Sequence, residues 1–496
     1  MQCNYLQVIM GFFMEAKNAP DAVREVAAHG GWCISQTAVA EMIESVRKEH
    51  VAKLATLGKS TLTSMAYDNL EMEFNVGEIS MINHATHESI TTGLFFQLQH
   101  GVVPEDLKRP GVSPASEDKT SRRSHNRHPT PPATIWDVIP SESALGRIRK
   151  GMVWVIGSIL VETLAPQHKH NLGEIPSNLQ IPVKKTHHKP AFAMHSKCSG
   201  NDSNIEVLDK MMGQSGITED IVRHFVLLVH GDLGVLERVK SVLASRKIER
   251  TDKESFEYVE TVPGLFHVLM ACADAIWRTY IEPKDLHKDR SGVYQQFCDL
   301  YPKKQAKLTL SAPFRMLHDG IDHILTARIL DCSRIICGKP SIEEFKKTEP
   351  TWERIHELSE EICTKFLEQH DESKPYFSEP KDKDATFKNG RLFNRDALLY
   401  RVLALATRYG AIGLVEDALT VWVPIFKGTR KHKYATHILN FLTRLKNLPP
   451  RLSRAIRLNW LCNPSGRYDG FRAIDWLVEL NNLYIKVSTS SRACVE

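Results

Sequence analysis

The 496-residue sequence has no long hydrophobic run, no basic leader and no regular cysteine spacing. Its longest apolar stretch, Gly151 to Leu160, lies between Lys150 and Glu162. That is about half the length a bilayer span needs, so no membrane is expected. Met1 to Met14 carries no basic residue, and Glu15 follows directly, which excludes a secretory signal at this start. The ten cysteines form no metal-binding pairs and are read as free thiols in a reducing compartment, placing the protein inside the cell, in nucleus or cytoplasm. Neither a GxxxxGK[ST] loop nor a GxSxG elbow is present, which removes P-loop NTPase and α/β-hydrolase chemistry. No small-molecule cofactor motif and no repeat of fixed period is evident. Charge of one sign is also missing: the formal net charge of +5 permits nucleic-acid binding without arguing for it.

What remains is a chain with 42% hydrophobic and 25% charged residues, enough for a sizeable core and too long for one ordinary domain. Its patterning is mostly helical. Residues 1–59 read as an N-terminal helical unit. Leu6, Ile9, Met10 and Phe13 recur at helical spacing. A second helix spans Asp21 to His29 and is stopped by Gly30 and Gly31. A third starts after Ser35, with Val39, Met42, Ile43 and Val46 on one face. Helix, glycine turn and helix outline a helix-turn-helix, in which Gln36 would read bases and Arg47, Lys48 and Lys53 would meet phosphates. A plain helical hairpin has the same outline.

Residues 60–103 change character: Leu62 to Phe74 and Glu88 to Leu98 alternate and are rich in β-formers, which predicts two paired strands. The span 104–143, with seven prolines and the basic run Lys119 to Arg127, is expected to be a disordered insert. Residues 144–223 read as a helical insert with a loop over 165–203. His187, His188, His195 and Cys198 fall in that loop, without the spacing of a zinc site. Residues 224–310 supply the rest of a core: a buried strand over His224 to Val229, a helix over Leu236 to Ala244, and a buried helix over Leu265 to Tyr280. Residues 311–496 are a C-terminal helical region, with helices over Trp352 to His370 and Arg395 to Trp422 and a lysine-rich break at 374–390.

Carboxylates mark the candidate site. Asp68 lies inside the first strand, Asp232 ends the later strand in His230-Gly231-Asp232, and Asp475 and Glu479 stand one helical turn apart. Hard oxygen ligands on rigid strands suit paired Mg²⁺ or Mn²⁺ ions, which activate the attacking oxygen and stabilise the leaving one in phosphodiester cleavage. Among 59 acidic residues such triples also arise by chance, with Asp232 then merely capping a helix. His267, on an apolar helix, is a candidate proton shuttle or ligand beside Asp232 or else a satisfied core residue.

At these residues the sequence resembles a fungal family, the domain-of-unknown-function family 6589, abundant in mushroom-forming basidiomycetes. The resemblance rests on Ala66-Tyr67-Asp68-Asn69, Val229 to Gly234 with Glu237-Arg238, Gly264 to His267 with Met270 to Trp277, and Asn463 to Gly466 through Ile474-Asp475-Trp476, Glu479 to Asn482 and Tyr484 to Lys486. It runs from about Tyr5 to Val487. It implies descent from a mobile element. The fold expected is mixed α/β and mainly helical, with a small ribonuclease-H-like sheet core embedded in helical domains. The implied protein is a transposase-like nuclease acting on DNA, with Asp68, Asp232 and Glu479 as catalytic metal ligands, Asp475 as a substitute ligand and His267 assisting. The alternatives are a catalytically inactive DNA- or protein-binding derivative and a helical scaffold. Two departures bear on activity: Gly410-Ala411 stands where the family has Gly-Asp, and the chain stops soon after Lys486.

Overall fold

The computed structural model describes residues 5–17, 19–74, 86–110, 132–249, 251–367 and 385–490. A five-stranded mixed sheet lies at its centre, in the order β3-β2-β1-β4-β5. The alternating segments form β1 (Thr63–Phe74) and β2 (Thr86–Gln97), an antiparallel pair in which Asp68 stands opposite Thr92. β3 (His188–Pro190) extends the β2 side antiparallel, inside the stretch expected to be irregular. β4 (Leu227–Gly231) and β5 (Val259–Pro263) run parallel to β1 and are buried along their whole length. The apolar run Leu227 to Val229 of β4 follows from that position, because a parallel strand is covered on both faces.

The longer helices are α1 (Tyr5–Ala16), α2 (Asp21–His29), α3 (Gln36–Lys59), α4 (Glu142–Leu164), α5 (Asn201–Ser215), α6 (Leu233–Ser245), α7 (Leu265–Tyr280), α8 (Phe314–Ile336), α9 (Trp352–Phe366), α10 (Ala385–Tyr409), α11 (Ile412–Gly428), α12 (His432–Asn447) and α13 (Ile474–Ser490). Pleating divides the sheet's residues between two layers. Met65 and Tyr67 of β1, with Phe95 and Val229, pack on α5 and α6. Ala66, Leu94 and Phe96 point the other way, against Ile474, Leu477 and Val478 of α13. Asp68 shares the face of Ala66, so the C-terminal helix lies over it.

Several expectations change in the structure. Ser35 caps α3 as expected, its Oγ accepting from the Ala38 N–H at 3.2 Å. On the predicted apolar face of α3 only Val39 is buried, while Ile43 and Val46 are exposed; the helix meets the core further on, at Leu54 and Gly58. The insert expected over 104–143 is ordered at both ends. Pro104–Leu107 is a 3-10 turn anchored by a fully buried Leu107, and Arg109 pairs with Asp252 at 2.9 Å. Ile135–Val138 is helical. Residues 111–131, with the basic run, lie outside the described residues, as do 374–384 of the lysine-rich break; residues 385–390 already belong to α10. The single helix expected over Arg395 to Trp422 is two, because Gly410 takes φ +72° beneath the Phe471 ring. The stretch Gly151 to Leu160 is a buried part of α4, and no described helix is long and apolar enough to cross a membrane.

Candidate active site

Strand pairing sets the first two acids. The parallel register of β1 and β4 runs from Ser64↔Leu228 to Ala66↔His230, and Asp68 and Asp232 each lie two residues beyond its end. Neighbouring strands are about 4.8 Å apart, so both acids stand at the place where β4 ends beside β1. Asp232 also caps α6: its Oδ1 accepts from the Val235 N–H at 2.7 Å. That is the capping role a chance acid would have, and it leaves the second oxygen for other work. Asp68 accepts from the Asn69 N–H at 2.8 Å. Burial, and then the charges of Glu479 and Asp232, push its carboxyl up to about 7, against the smaller pull of Asn69 and His267.

The other acids come from α13. Asp475, 4% exposed, sits at the start of α7 and serves as its cap from a distant part of the chain. Oδ1 accepts from the Phe266 N–H at 3.1 Å, and Oδ2 from the His267 N–H at 3.0 Å. These are donors of the first helical turn, where no backbone acceptor exists and the helix dipole favours an anion. Gly264 makes the approach possible, since a Cβ there would lie 2.3 Å from the Asp475 Cγ. Asp475, expected among the metal ligands, therefore has both oxygens engaged by the protein. Glu479, one turn further along α13, is 41% exposed in its side chain and faces His267.

His267 joins the two. Its Nδ1 lies 3.0 Å from Asp475 Oδ2 and its Nε2 3.7 Å from Glu479 Oε1. Burial opposes its charge, but the hydrogen bond to Asp475 and the charges of Asp475, Asp232 and Glu479 outweigh burial and push its pKa up to about 9. It is an imidazolium at neutral pH. His230, on β4, is different: it is 1% exposed, burial pushes its pKa down to about 3, and neither ring nitrogen has a partner among the described residues. Thr92 donates to Asn482 and so ties β2 to α13 across the same face. Sequence reasoning did not single out Thr92, Asn482 or the role of Gly264; their signal is spatial.

Among the described residues no group of three His, Cys, Asp or Glu side chains stands ready to hold a metal ion. The donor set still suits a hard divalent cation. Asp68, Asp232 and Glu479 offer oxygen ligands, and burial first, then the charges of Glu479 and Asp232, raise the Asp68 carboxyl. The histidines and cysteine of the 187–198 loop do not converge. Cys198 Sγ bonds Asn69 Oδ1 at 2.9 Å, His195 faces Glu88 at 3.9 Å, and His188 faces the Thr186 carbonyl at 3.4 Å.

The candidate nucleic-acid residues lie on α3, whose C-terminal half packs into the core through Leu54. Gln36 begins α3 and its amide reaches Asp21 Oδ1 at 3.3 Å. Arg47 pairs with Glu44 at 2.7 Å, Lys48 with the same Glu44 at 3.9 Å, and Lys53 with Glu49.

Residues 127–493 match the family of unknown function DUF6589. The chain belongs to that family. Asp232, His267, Asp475 and Glu479 fall inside the matched DUF6589 region, whereas Asp68 and α1–α3 precede it. Comparison with curated proteins gave no match. A solved structure, the Drosophila P element transposase strand transfer complex, aligns over 92% of this chain and 93% of its own at 10% identity; its TM-score of 0.27 is too low to carry an argument.

Proposed function

We propose that the chain is a ribonuclease-H-like phosphodiesterase acting on nucleic acid, with Asp68, Asp232 and Glu479 as ligands for Mg²⁺ or Mn²⁺. The observation that carries this reading is the β1–β4 register, which brings Asp68 and Asp232 out of neighbouring parallel strands beneath a helix bearing Glu479. The strand order β3-β2-β1-β4-β5 supports it by setting β1 and β4, which lead to the two acids, side by side within the sheet. When bound, the metal would supply Lewis-acid stabilisation of the phosphodiester oxygens.

The remaining roles belong to the protein's own groups. Asp475 holds the first turn of α7 and the His267 ring in place. His267, charged at neutral pH, has its Nε2 side toward Glu479 and is positioned to give a proton to an oxygen arriving there. Asp68 holds its proton up to about pH 7 and must release it to act as a ligand. The experiment is Mn²⁺-dependent cleavage of labelled DNA and RNA oligonucleotides by the purified chain and by Asp232→Asn. Cleavage by the wild type alone supports the reading, and no cleavage by either sinks it.

One observation favours a second reading, a derivative that binds without cutting. The His267 imidazolium between Asp475 and Glu479 already offsets part of the negative charge without any metal. In that case Mn²⁺ leaves the melting temperature unchanged while DNA still binds.

A further inference from the structure

A cavity backs onto this site from the other side of α7 and α13. It holds about 340 Å³, at the small end of the range for ligand pockets, and lies among α7, α8, α10 and the start of α13. It shares no acid with the site described above. Phe266 and Trp476 line it, and each is the chain neighbour of a residue in the His267–Asp475 pair.

The lining is cationic. Arg315, Arg401, Arg408 and Arg472 line it together with one carboxylate, Asp322. Arg401 pairs with Asp322. Arg472 has no carboxylate partner among the described residues; its guanidinium donates only to the main-chain carbonyls of Asp469 and Phe471, at 3.1 and 2.6 Å. Arg315 and Arg408 are held at the periphery by Asp319 and Asp469, at 2.8 and 3.0 Å. Gathering guanidinium groups this way is unfavourable unless an anion joins them, and planar guanidinium forks match phosphate oxygens.

The rest of the lining is aromatic. Phe266 and Phe314 meet edge to face with centroids 5.6 Å apart, and Arg472 lies 5.8 Å from the Trp476 ring. Flat apolar faces beside cationic forks suit a ligand with a planar ring at one end and a phosphate at the other.

We propose that this cavity binds a nucleoside phosphate, the phosphate on Arg472 and Arg401 and the base against Phe266 and Trp476. The shared chemistry has two sources, a free mononucleotide or a terminal or unstacked unit of a nucleic-acid strand. The proposal goes beyond the metal site and stands without it.

The test is isothermal titration of the full chain, without divalent metal, using AMP, adenosine and inorganic phosphate. AMP is expected to bind at least about tenfold tighter than either half, since both ends contribute. Arg472→Gln should weaken AMP binding about tenfold. Should that variant unfold, Arg315→Gln, at an exposed guanidinium on the rim of the cavity, removes one positive charge from the lining and should weaken AMP binding several-fold. Asp232→Asn should bind AMP as the wild type does, which separates this proposal from the nuclease reading. Displacement of bound AMP by a 5′-phosphorylated oligonucleotide identifies the strand as the source; no displacement identifies the free nucleotide. Absence of AMP binding at millimolar concentration, or equal affinity in wild type, Arg472→Gln and Arg315→Gln, overturns the proposal.

Discussion

Nδ1 of His267 lies 3.0 Å from Oδ2 of Asp475, across 208 residues of sequence. The same carboxylate accepts from two backbone N–H groups of α7, so one acid fixes both a helix start and a side chain of the candidate site. Replacing Asp475 with Ala leaves a half-buried imidazole and two helix N–H groups without their acceptor. The expected loss is about 3–5 kcal/mol, as for breaking a buried ion pair. Asp475→Asn keeps an acceptor oxygen and should lose about 1–3 kcal/mol. Urea unfolding measures both; a loss under about 1 kcal/mol for the alanine variant would show that the cap is dispensable.

Gly264 predicts a steric counterpart. A methyl group there would meet the Asp475 Cγ at 2.3 Å, and both residues are fixed by their neighbours. Gly264→Ala should destabilise by about 1–3 kcal/mol, the usual range for overpacking. Combined with Asp475→Ala the losses should fall short of additive, because the truncated side chain no longer collides. A double-mutant cycle by urea unfolding reads the difference.

Stability should fall with rising pH, from two groups acting in the same direction. His267 titrates at about 9 in the fold against an ordinary 6.5, so its contribution is complete below pH 6.5 and lost as pH rises through 9. Asp68 has its pKa raised from 3.8 to about 7, so the fold prefers its protonated form; that contribution is lost between pH 3.8 and 7. His267→Gln should flatten the upper part of a melting profile and Asp68→Asn the lower. At pH 8, Asp68→Asn should gain about 1–2 kcal/mol, less than the full shift because water reaches the site. An unchanged profile in either variant would remove that group from the linkage.

Metal linkage follows from the same carboxyl. If Mn²⁺ binds Asp68 and Asp232, it competes with the Asp68 proton, and apparent affinity should rise as pH passes through about 7. The melting temperature should rise with Mn²⁺ in the wild type. In Asp232→Asn it should not, while metal-free stability stays within about 0.5 kcal/mol, since Asn also caps a helix well. Differential scanning calorimetry with and without Mn²⁺ checks both halves.

On α3, the glutamate partners of Arg47, Lys48 and Lys53 do not bar DNA. All three bases are exposed, at 55, 73 and 52%, and exposed pairs are worth about 0–1 kcal/mol, so phosphates can replace the glutamates. If α3 docks on DNA, the triple alanine variant should lower the slope of log affinity against log salt by about 2–3. An unchanged slope, read by fluorescence anisotropy, takes these residues out of the interface.

The sequence was legible where local chemistry decides. Ser35 and Gly31 bound a helix hairpin, alternation made β1 and β2, and an apolar run made β4. Asp68 and Asp232 stood out because their strands did. β3 and β5 were not legible: three residues at an edge, and a five-residue segment ending in Pro263, become strands through the partners beside them. The break at Gly410 was missed because the helical pattern continues on both sides, and only Phe471 packed on that glycine shows the turn. Asp475 looked like a ligand because one-turn spacing with Glu479 says nothing about a helix start 208 residues earlier.

The placement of α13 also orders events during synthesis. Asp68 and Asp232 leave the ribosome long before Asp475 and Glu479, on the order of ten seconds or more at ordinary elongation rates. Until α13 arrives, the start of α7 has no cap and His267 no anion to hold its ring. A nascent chain, or one cut short by a premature stop codon ahead of α13, therefore has a sheet with two acids but no assembled centre. Under the nuclease reading, copies that lack α13 are inert toward the nucleic acid around them, and competence arrives with that helix.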